Sequence, residues 1–446
     1  MELGQKFADF VTGLRFEQVD PRDLETAKQS ILDFLGVALA GVGELPEQIL
    51  WSRVSRCSSD EASVIGQTQK TTSWLAALVN GTLGHSLDFD DTAGFGHASV
   101  IIVPALLACG ERAQSTGKEL LTAYVAAFEV GFALNSLTRR GEDEHHGMHA
   151  TGIFGPITSA TAAGKIAGLD GETMRQAWGI AVSQSAGVTG NFGTHTKPLH
   201  AGLASQAGVL AAELAAGGFT SNPNAFDAPL GFMYSVVAPA YFPEIDFSKA
   251  SDALGQNNLS SSLSFKKYPC GFIAQGAIDA ALKLRSQLLP RGADEITSIK
   301  VRVPMLESFF RVSPTGDVAG KFSYQYTAAC ALLDGQVTKW SFSDEAFQRP
   351  ELKGLLDSFS VEVDAESGPH GILSVEAGGQ ELVQQIELPT GHASRPISTE
   401  EIRQKFMLNA EPVLGSQHAG EIASMVLDLE NLPNLAALMD RLATRN

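Results

Sequence analysis

Cysteine is scarce in this chain: four in 446 residues, at positions 57, 109, 270 and 330, with no CxxC pair. That spacing fits neither a disulfide framework nor a zinc cluster, and the cysteines read as buried thiols. Long apolar runs are missing as well. No stretch reaches the roughly 20 residues that span a bilayer, so a transmembrane reading fails. Basic residues are in deficit, with 32 Lys and Arg against 50 Asp and Glu, a formal charge of −18 and a pI near 5.0. Nucleic acid rewards basic stripes and an anionic membrane surface rewards basic patches, so neither is expected as a partner. The opening MELGQKFADFVTGLRFEQ lacks a basic region followed by an apolar core. No signal peptide is read there, and a cytoplasmic location is the expectation. Internal repeats and low-complexity tracts are also lacking.

What is present is a globular composition, 44% hydrophobic with a mean hydropathy of +0.03. The length exceeds one ordinary core, so two domains are expected. From about residue 22 to 215 the sequence is a succession of helices rich in small residues, such as LETAKQSILDFLGVALAGV, LLTAYVAAFEVGFALNSL and LASQAGVLAAELAAGGF. Apolar residues recur three and four apart, and Gly and Ala lie almost all round several of them, which predicts close helix packing. Gly168 and the pair Gly217-Gly218 can supply left-handed helix ends. Between about 260 and 395 the character changes. The helix GFIAQGAIDAALKLRSQL precedes the alternating segment ITSIKVRVP, and FSVEVDAE, GILSVEAGG and QELVQQIELP read as further strands, with Gly378-Gly379 turning the last two into a hairpin. The predicted fold is mainly α: an all-helical domain over 1–260, completed by C-terminal helices at 396–446, and a smaller α+β domain over 261–395.

Seven of the ten histidines, at 85, 97, 145, 146, 149, 195 and 200, fall in one window together with the acidic stretch GHSLDFDDTAGFGHAS. Burying so many polar groups in apolar, Gly-rich surroundings is costly unless they pair or line a wet cleft, so a cleft is expected. If the first helix continues, His85, Asp88 and Thr92 share one face. Asp90 and Asp91 read as capping groups at a helix end, whereas Asp88, flanked by Leu87 and Phe89, needs a cationic partner. His and Asp are metal ligands, but HxxD followed by DD has no specific metal spacing and HExxH is absent, so no metal is predicted. His149 precedes a helix start, where an imidazole tends to stay neutral. His145 and His146, among Glu142, Asp143 and Glu144, read as a solvated loop. In NFGTHTKPLHAG, Lys197 and the helix opened by Pro198 make a carboxylate site, with His195 and His200 beside it. Lys266 and Lys267 in LSFKKYPCGF, and Tyr324 and Tyr326 in FSYQYTAAC, could complete a pocket between the domains.

The blocks HSLDFDDT with GHAS, HATGIFGPITSATAAGKIAGL, TKPLHAG, KKYPCGF and FSYQYTAACALLDG, in this order over nearly the whole chain, resemble the MmgE/PrpD family. That family includes 2-methylcitrate dehydratases, cis-aconitate decarboxylases and an iminodisuccinate epimerase. The resemblance implies a large helical domain with an α+β lid, a homodimer, and chemistry without cofactor or metal. Carried over by motif, the catalytic positions fall on Asp88, His97, His149, Lys266 and Tyr326, and the substrate-binding ones on Thr92, Lys197 and His200. Two departures stand out. Gln275 occupies a position that is histidine in many relatives, and GHAS replaces the GHPS of many methylcitrate dehydratases.

All three family chemistries make or break a bond next to a carboxylate. They need fixed positive groups for the anion and a histidine that moves a proton. Gathered in an acidic protein, two lysines and up to three histidines imply a di- or tricarboxylate. The expectation is therefore a cofactor-independent lyase, a dehydratase or decarboxylase. A dicarboxylate epimerase, with His97 and His149 on opposite faces of one carbon, is the alternative, and a non-enzymatic binding protein is the third reading.

Overall fold

The computed structural model describes residues 3–138, 147–237, 240–288, 295–303, 314, 316–363 and 372–443. Its architecture is mainly α with a smaller α+β region, as the sequence predicts. Helices Pro21–Gly41, Ser73–His85, Ala98–Ala113, Gly117–Asn135, Ala150–Ile166 and Thr196–Ala216 stack into the larger body. Each begins where local chemistry can begin a helix. Asp20 accepts the Arg22 N–H ahead of Pro21, and Thr116 and Glu119 form a reciprocal capping box. The ends follow expectation too, with Gly168 at φ +66° and Gly218 at φ +88°.

Small residues set how closely the helices pack. A Cβ on Gly202 would lie 2.2 Å from Thr82 Oγ1 and 2.3 Å from Leu78 O. The helices Ser73–His85 and Thr196–Ala216 thus cross almost backbone to backbone, and the ends of both reach the same region. Buried apolar side chains from Leu3 to Phe265, and again from Ile397 to Leu442, form one continuous core. The C-terminal helices Thr399–Leu414, Ser416–Leu427 and Ala436–Leu442 therefore belong to the helical body.

A second core runs from Tyr268 to Ile386. It lies between the helices Gln275–Leu288 and Tyr324–Asp334 and a four-stranded sheet ordered Phe359–Val363, Ile296–Val303, Ile372–Ala377, Gln380–Gln385. The first two strands pair in parallel and the rest antiparallel. Strict alternation explains the faces: Ile299, Val301 and Val303 point into the core, while Lys300 and Arg302 face outward beside Glu362. The Gly378-Gly379 hairpin forms as expected, both residues having positive φ. We propose that these two cores are the two domains, 1–260 with 396–446 and 261–395.

The two chain connections between the cores run side by side. Ser264 exchanges both backbone hydrogen bonds with Thr92, at 2.8 and 2.9 Å, and Phe265 N–H donates to Gly391 O at 2.8 Å. Gly391, at φ +94°, is required there, because a Cβ would lie 2.1 Å from Phe265 O. This crossing lies against the turn after His85 and carries Lys266 to it.

Candidate active site

The first acidic block does not continue its helix. The helix ends at His85, and Asp88 adopts a left-handed backbone with φ +50°. His85, Asp88 and Thr92 consequently do not share a helical face. The turn instead aims the Asp88 carboxylate at two buried ammonium groups. Lys197 Nζ donates to Asp88 Oδ1 at 2.7 Å, and Lys266 Nζ donates to the same oxygen at 2.6 Å and to Asp88 O at 2.9 Å. Lys266 is fully buried and Lys197 nearly so. Asp88 Oδ2 has no hydrogen-bond partner among the described residues.

Asp90 corrects the expectation of a capping group. It is wholly buried and lies between two imidazoles: His85 Nδ1 is hydrogen-bonded to Oδ1 at 2.8 Å, and His97 Nδ1 lies 2.9 Å from Oδ2 in an ion-pair contact without hydrogen-bond geometry. His97 Nδ1 is also 2.9 Å from Asp91 O, so it faces two acceptors and must carry the proton. The neutral His97 ring accordingly keeps a bare Nε2. Asp91 does cap the next helix as anticipated: it accepts the Ser99 N–H at 3.0 Å and the Ser99 hydroxyl, which in turn lies 2.8 Å from Tyr124 Oη.

Helix starts deliver the remaining groups. His97 and His149 occupy the N-cap positions of Ala98–Ala113 and Ala150–Ile166, and Lys197 lies in the first turn of Thr196–Ala216. His149 N–H donates to Gly187 O at 2.9 Å, and its Nδ1 is 3.1 Å from His200 Nδ1. One proton is shared in that contact, so one ring donates and the other accepts. The His97 ring centroid lies 4.3 Å from that of His85 and 6.2 Å from that of His149. Aromatic rings close one side: Phe192 meets His149 edge-on at 4.7 Å, and Lys197 Nζ lies 5.3 Å from the Phe192 centroid and 5.1 Å from that of Phe322 in the lid.

Burial sets the protonation states. It pulls His85 down to about 3 against the opposing Asp90 carboxylate, and lowers His97 in the same way. Burial and the Lys197 charge lower His149 and His200. For Asp88, burial alone would favour the neutral acid, but Lys197 and Lys266 hold it well below the usual carboxylate range. Burial likewise opposes ionisation of Asp90 and is outweighed by His85 and His97. Lys197 is lowered by burial, whereas Asp88 and Asp90 more than offset the same penalty for Lys266. Asp91, buried and near Asp33 and Asp90, is pushed up to about 7 despite its bonds to Ser99. With the histidines neutral, the ammonium groups of Lys197 and Lys266 are balanced by the carboxylates of Asp88 and Asp90. These four charges cancel, and with Asp91 raised to about 7 the cluster carries no net positive charge, unlike the cationic pocket that the basic motifs imply.

Of the sequence candidates, the structure gathers Asp88, His97, His149, Lys197, His200 and Lys266. Thr92 is half-buried beside them, and its backbone is tied to Ser264. Tyr326 is not brought there. Its ring stacks on Phe347 at 4.3 Å in the lid core and its hydroxyl donates to Ser341 O at 2.5 Å, which commits its one proton. Tyr324 is buried in that core too. Gln275 organises its own loop, accepting the N–H groups of Lys267 and Tyr268 and donating to Tyr268 O. His195 and Lys267 are exposed. His145 and His146 lie outside the described residues. Sequence reasoning missed the roles of His85, Asp90, Phe192 and Phe322. The HxxxxD spacing of His85 and Asp90 was the one available hint.

His85, His97 and His149 each bring a ligand atom within 4.8 Å of one another, as do His85, Asp88, Asp90 and His97. A cation could be held by such donors. Against it, Lys197 and Lys266 already compensate Asp88, and His85 and His97 already engage Asp90, so a dication would be repelled by fixed ammonium groups at close range. Among the described residues no helix is long and apolar enough to cross a membrane.

Comparison with known proteins gives the same outline. The model of the MmgE/PrpD N-terminal domain matches residues 5–244, and that of the MmgE/PrpD C-terminal domain matches residues 268–431. The human cis-aconitate decarboxylase is 29% identical, covering 98% of this chain and 93% of that protein. The cis-aconitate decarboxylase of Aspergillus terreus (strain NIH 2624 / FGSC A1156) is 25% identical over 97% of this chain and 94% of its own. The 2-methylcitrate dehydratase of Escherichia coli (strain K12) is 24% identical over 92% and 91%.

Proposed function

Because the chain belongs to the MmgE/PrpD family, we propose that it is a lyase that decarboxylates a small tricarboxylate of the cis-aconitate type, without a cofactor. The observation that carries this reading is the junction of Lys197, His149, Phe192 and Phe322. A fixed ammonium and a histidine share one wall with two aromatic rings. Loss of carbon dioxide disperses the charge of one carboxylate, so that group reacts faster against an apolar wall, while Lys197 and Lys266 hold the others. Dehydration would instead require a polar acid at the departing hydroxyl. The C–C bond breaks with its electron pair left on carbon, and a proton from His149 quenches it.

The resting charge balance explains how that proton arrives. A polyanion entering this buried cluster returns the negative potential that burial and Lys197 withhold from the histidines. His149 and His200 are then drawn toward protonation. The proton taken up on binding is the one delivered to carbon, and net consumption of one proton per carbon dioxide released is the balance that decarboxylation demands.

Incubation with cis-aconitate, citrate, 2-methylcitrate or iminodisuccinate in deuterated water, followed by NMR, tests the reading. Carbon dioxide release with one solvent deuterium placed in the product is expected from cis-aconitate. Loss of water from 2-methylcitrate without carbon dioxide would make the protein a dehydratase. Deuterium exchange with no other change would make it an epimerase.

A further inference from the structure

Lys405 lies in the C-terminal helix Thr399–Leu414, far in sequence from every motif of the site, and its surroundings are unusual for a lysine. It is 8% exposed. Its ammonium donates to Phe89 O at 2.7 Å and to Lys266 O at 2.9 Å, pairs with Asp33 Oδ1 at 2.7 Å, and sits 3.9 Å from the centroid of the Phe89 ring. Two donors of the ammonium are thereby committed to carbonyls, and the charge faces the Asp33 carboxylate.

The carbonyls it holds are informative. Phe89 follows Asp88, whose left-handed backbone is uncommon for a residue other than glycine. Lys266 is the residue whose side chain meets the Asp88 carboxylate and carbonyl. Lys405 thus closes a ring: Asp88 to Lys266 through their side chains, and Lys266 back to Phe89 through one ammonium. Asp33, in the helix Pro21–Gly41, anchors that ammonium from behind and is itself wholly buried. A buried ammonium needs acceptors for its donors wherever it sits, and what distinguishes this one is where they come from. This one spends two donors on the main chain at the two points that carry the site's carboxylate and one of its cations.

We propose that Lys405 is a positioning residue, which fixes the Asp88 turn and the Lys266 segment against each other so that Asp88, Lys266 and Lys197 converge. The inference rests on the functional assignment of that cluster. Asp33 serves Lys405 by neutralising it, and the two carbonyl bonds do the positioning.

The test is steady-state kinetics on the full-length chain with cis-aconitate, together with melting temperatures and crystal structures. Lys405→Met is expected to lower kcat at least 100-fold, and its crystal structure should show Asp88 out of the left-handed region or the Asp88–Lys266 contact opened. Asp33→Asn keeps both carbonyl bonds and should lose less than tenfold. Lys405→Gln, which can donate to one carbonyl, should fall between. If Lys405→Met does not fold, Lys405→Gln against Asp33→Asn decides. Activity tracking melting temperature equally across the variants, or an unmoved Asp88 with normal kcat, would overturn the proposal. Absence of wild-type turnover would sink the decarboxylase reading alone, since the crystal structures still judge the positioning.

Discussion

Two lysines share one oxygen of Asp88, and one carboxylate, Asp90, lies between two histidines. Each acid therefore faces two partners at once. Removing Asp88 leaves Lys197 and Lys266 facing each other in a buried place. Asp88→Ala should cost about 3–5 kcal/mol of stability in urea titration as well as activity, because uncompensated buried charge is more expensive than a lost contact. His149→Ala and Lys197→Ala should behave differently, lowering turnover by about 100-fold or more while circular dichroism stays native, since neither leaves an anion without a partner. Near-normal activity in either variant would remove it from the mechanism.

The charge balance of the resting cluster makes a sharper demand. Calorimetric titration with a tricarboxylate in buffers of different ionisation enthalpy should reveal uptake of roughly one proton or more per molecule bound near pH 7. Binding without uptake would contradict the arming of His149 by substrate. Asp91 supplies a signal of opposite sense. Its pKa is raised in the folded state to about 7, so the contribution of its protonated form is complete below the ordinary carboxylate pKa. That contribution is lost as the pH climbs from about 4 to about 7. Asp91→Asn should flatten the fall of melting temperature with rising pH across that window, and an unchanged slope would show that Asp91 is ionised throughout. Dialysis against a chelator should leave turnover unchanged. Loss restored by a divalent metal would reassign the three histidines as ligands.

At the scale of elements, helix starts do the placing. His97, His149 and Lys197 come from the N-termini of three different helices, whose positive ends favour neutral imidazole and a bound anion. Their separations depend on how closely those helices pack. Gly202→Ala should cost about 1–3 kcal/mol, read as a shifted urea midpoint, because the new methyl would meet Thr82 and Leu78 backbone and side chain with no room to turn. A wild-type midpoint would mean the helices can separate freely.

These elements were largely legible in the chain. Small residues three and four apart, Gly168 and Gly217-Gly218 after helical segments, and Gly378-Gly379 between alternating segments are local signals, and each element they mark is found. The expected helical face of His85, Asp88 and Thr92 was not, since nothing local announces that a non-glycine residue will adopt positive φ. The Asp88 conformation is paid for by contacts with residues 109 and 178 positions away.

For the whole molecule, the C-terminal helices complete the core that the N-terminal ones begin, with Ile402, Phe406 and Ala410 fully buried in it. A chain ended before residue 397 should therefore fail to give a soluble monodisperse product on size-exclusion chromatography, although every motif of the site would remain in it. Recovery of a folded, active truncate would show that the helical body is complete without them.

By itself the sequence determined the helical class, the α+β insert, the acidic net charge and most of the titratable groups that meet in the buried cluster, because residue type and periodicity are properties of short segments. Only the tertiary structure decided which charges cancel, that Asp90 lies between two histidines and is not a cap, that Tyr326 is spent in the lid core, and that Phe192, Phe322 and Lys405 bear on the site. Those outcomes rest on contacts and desolvation between distant segments, where a buried charge is governed by what surrounds it and the chain order carries no record of that.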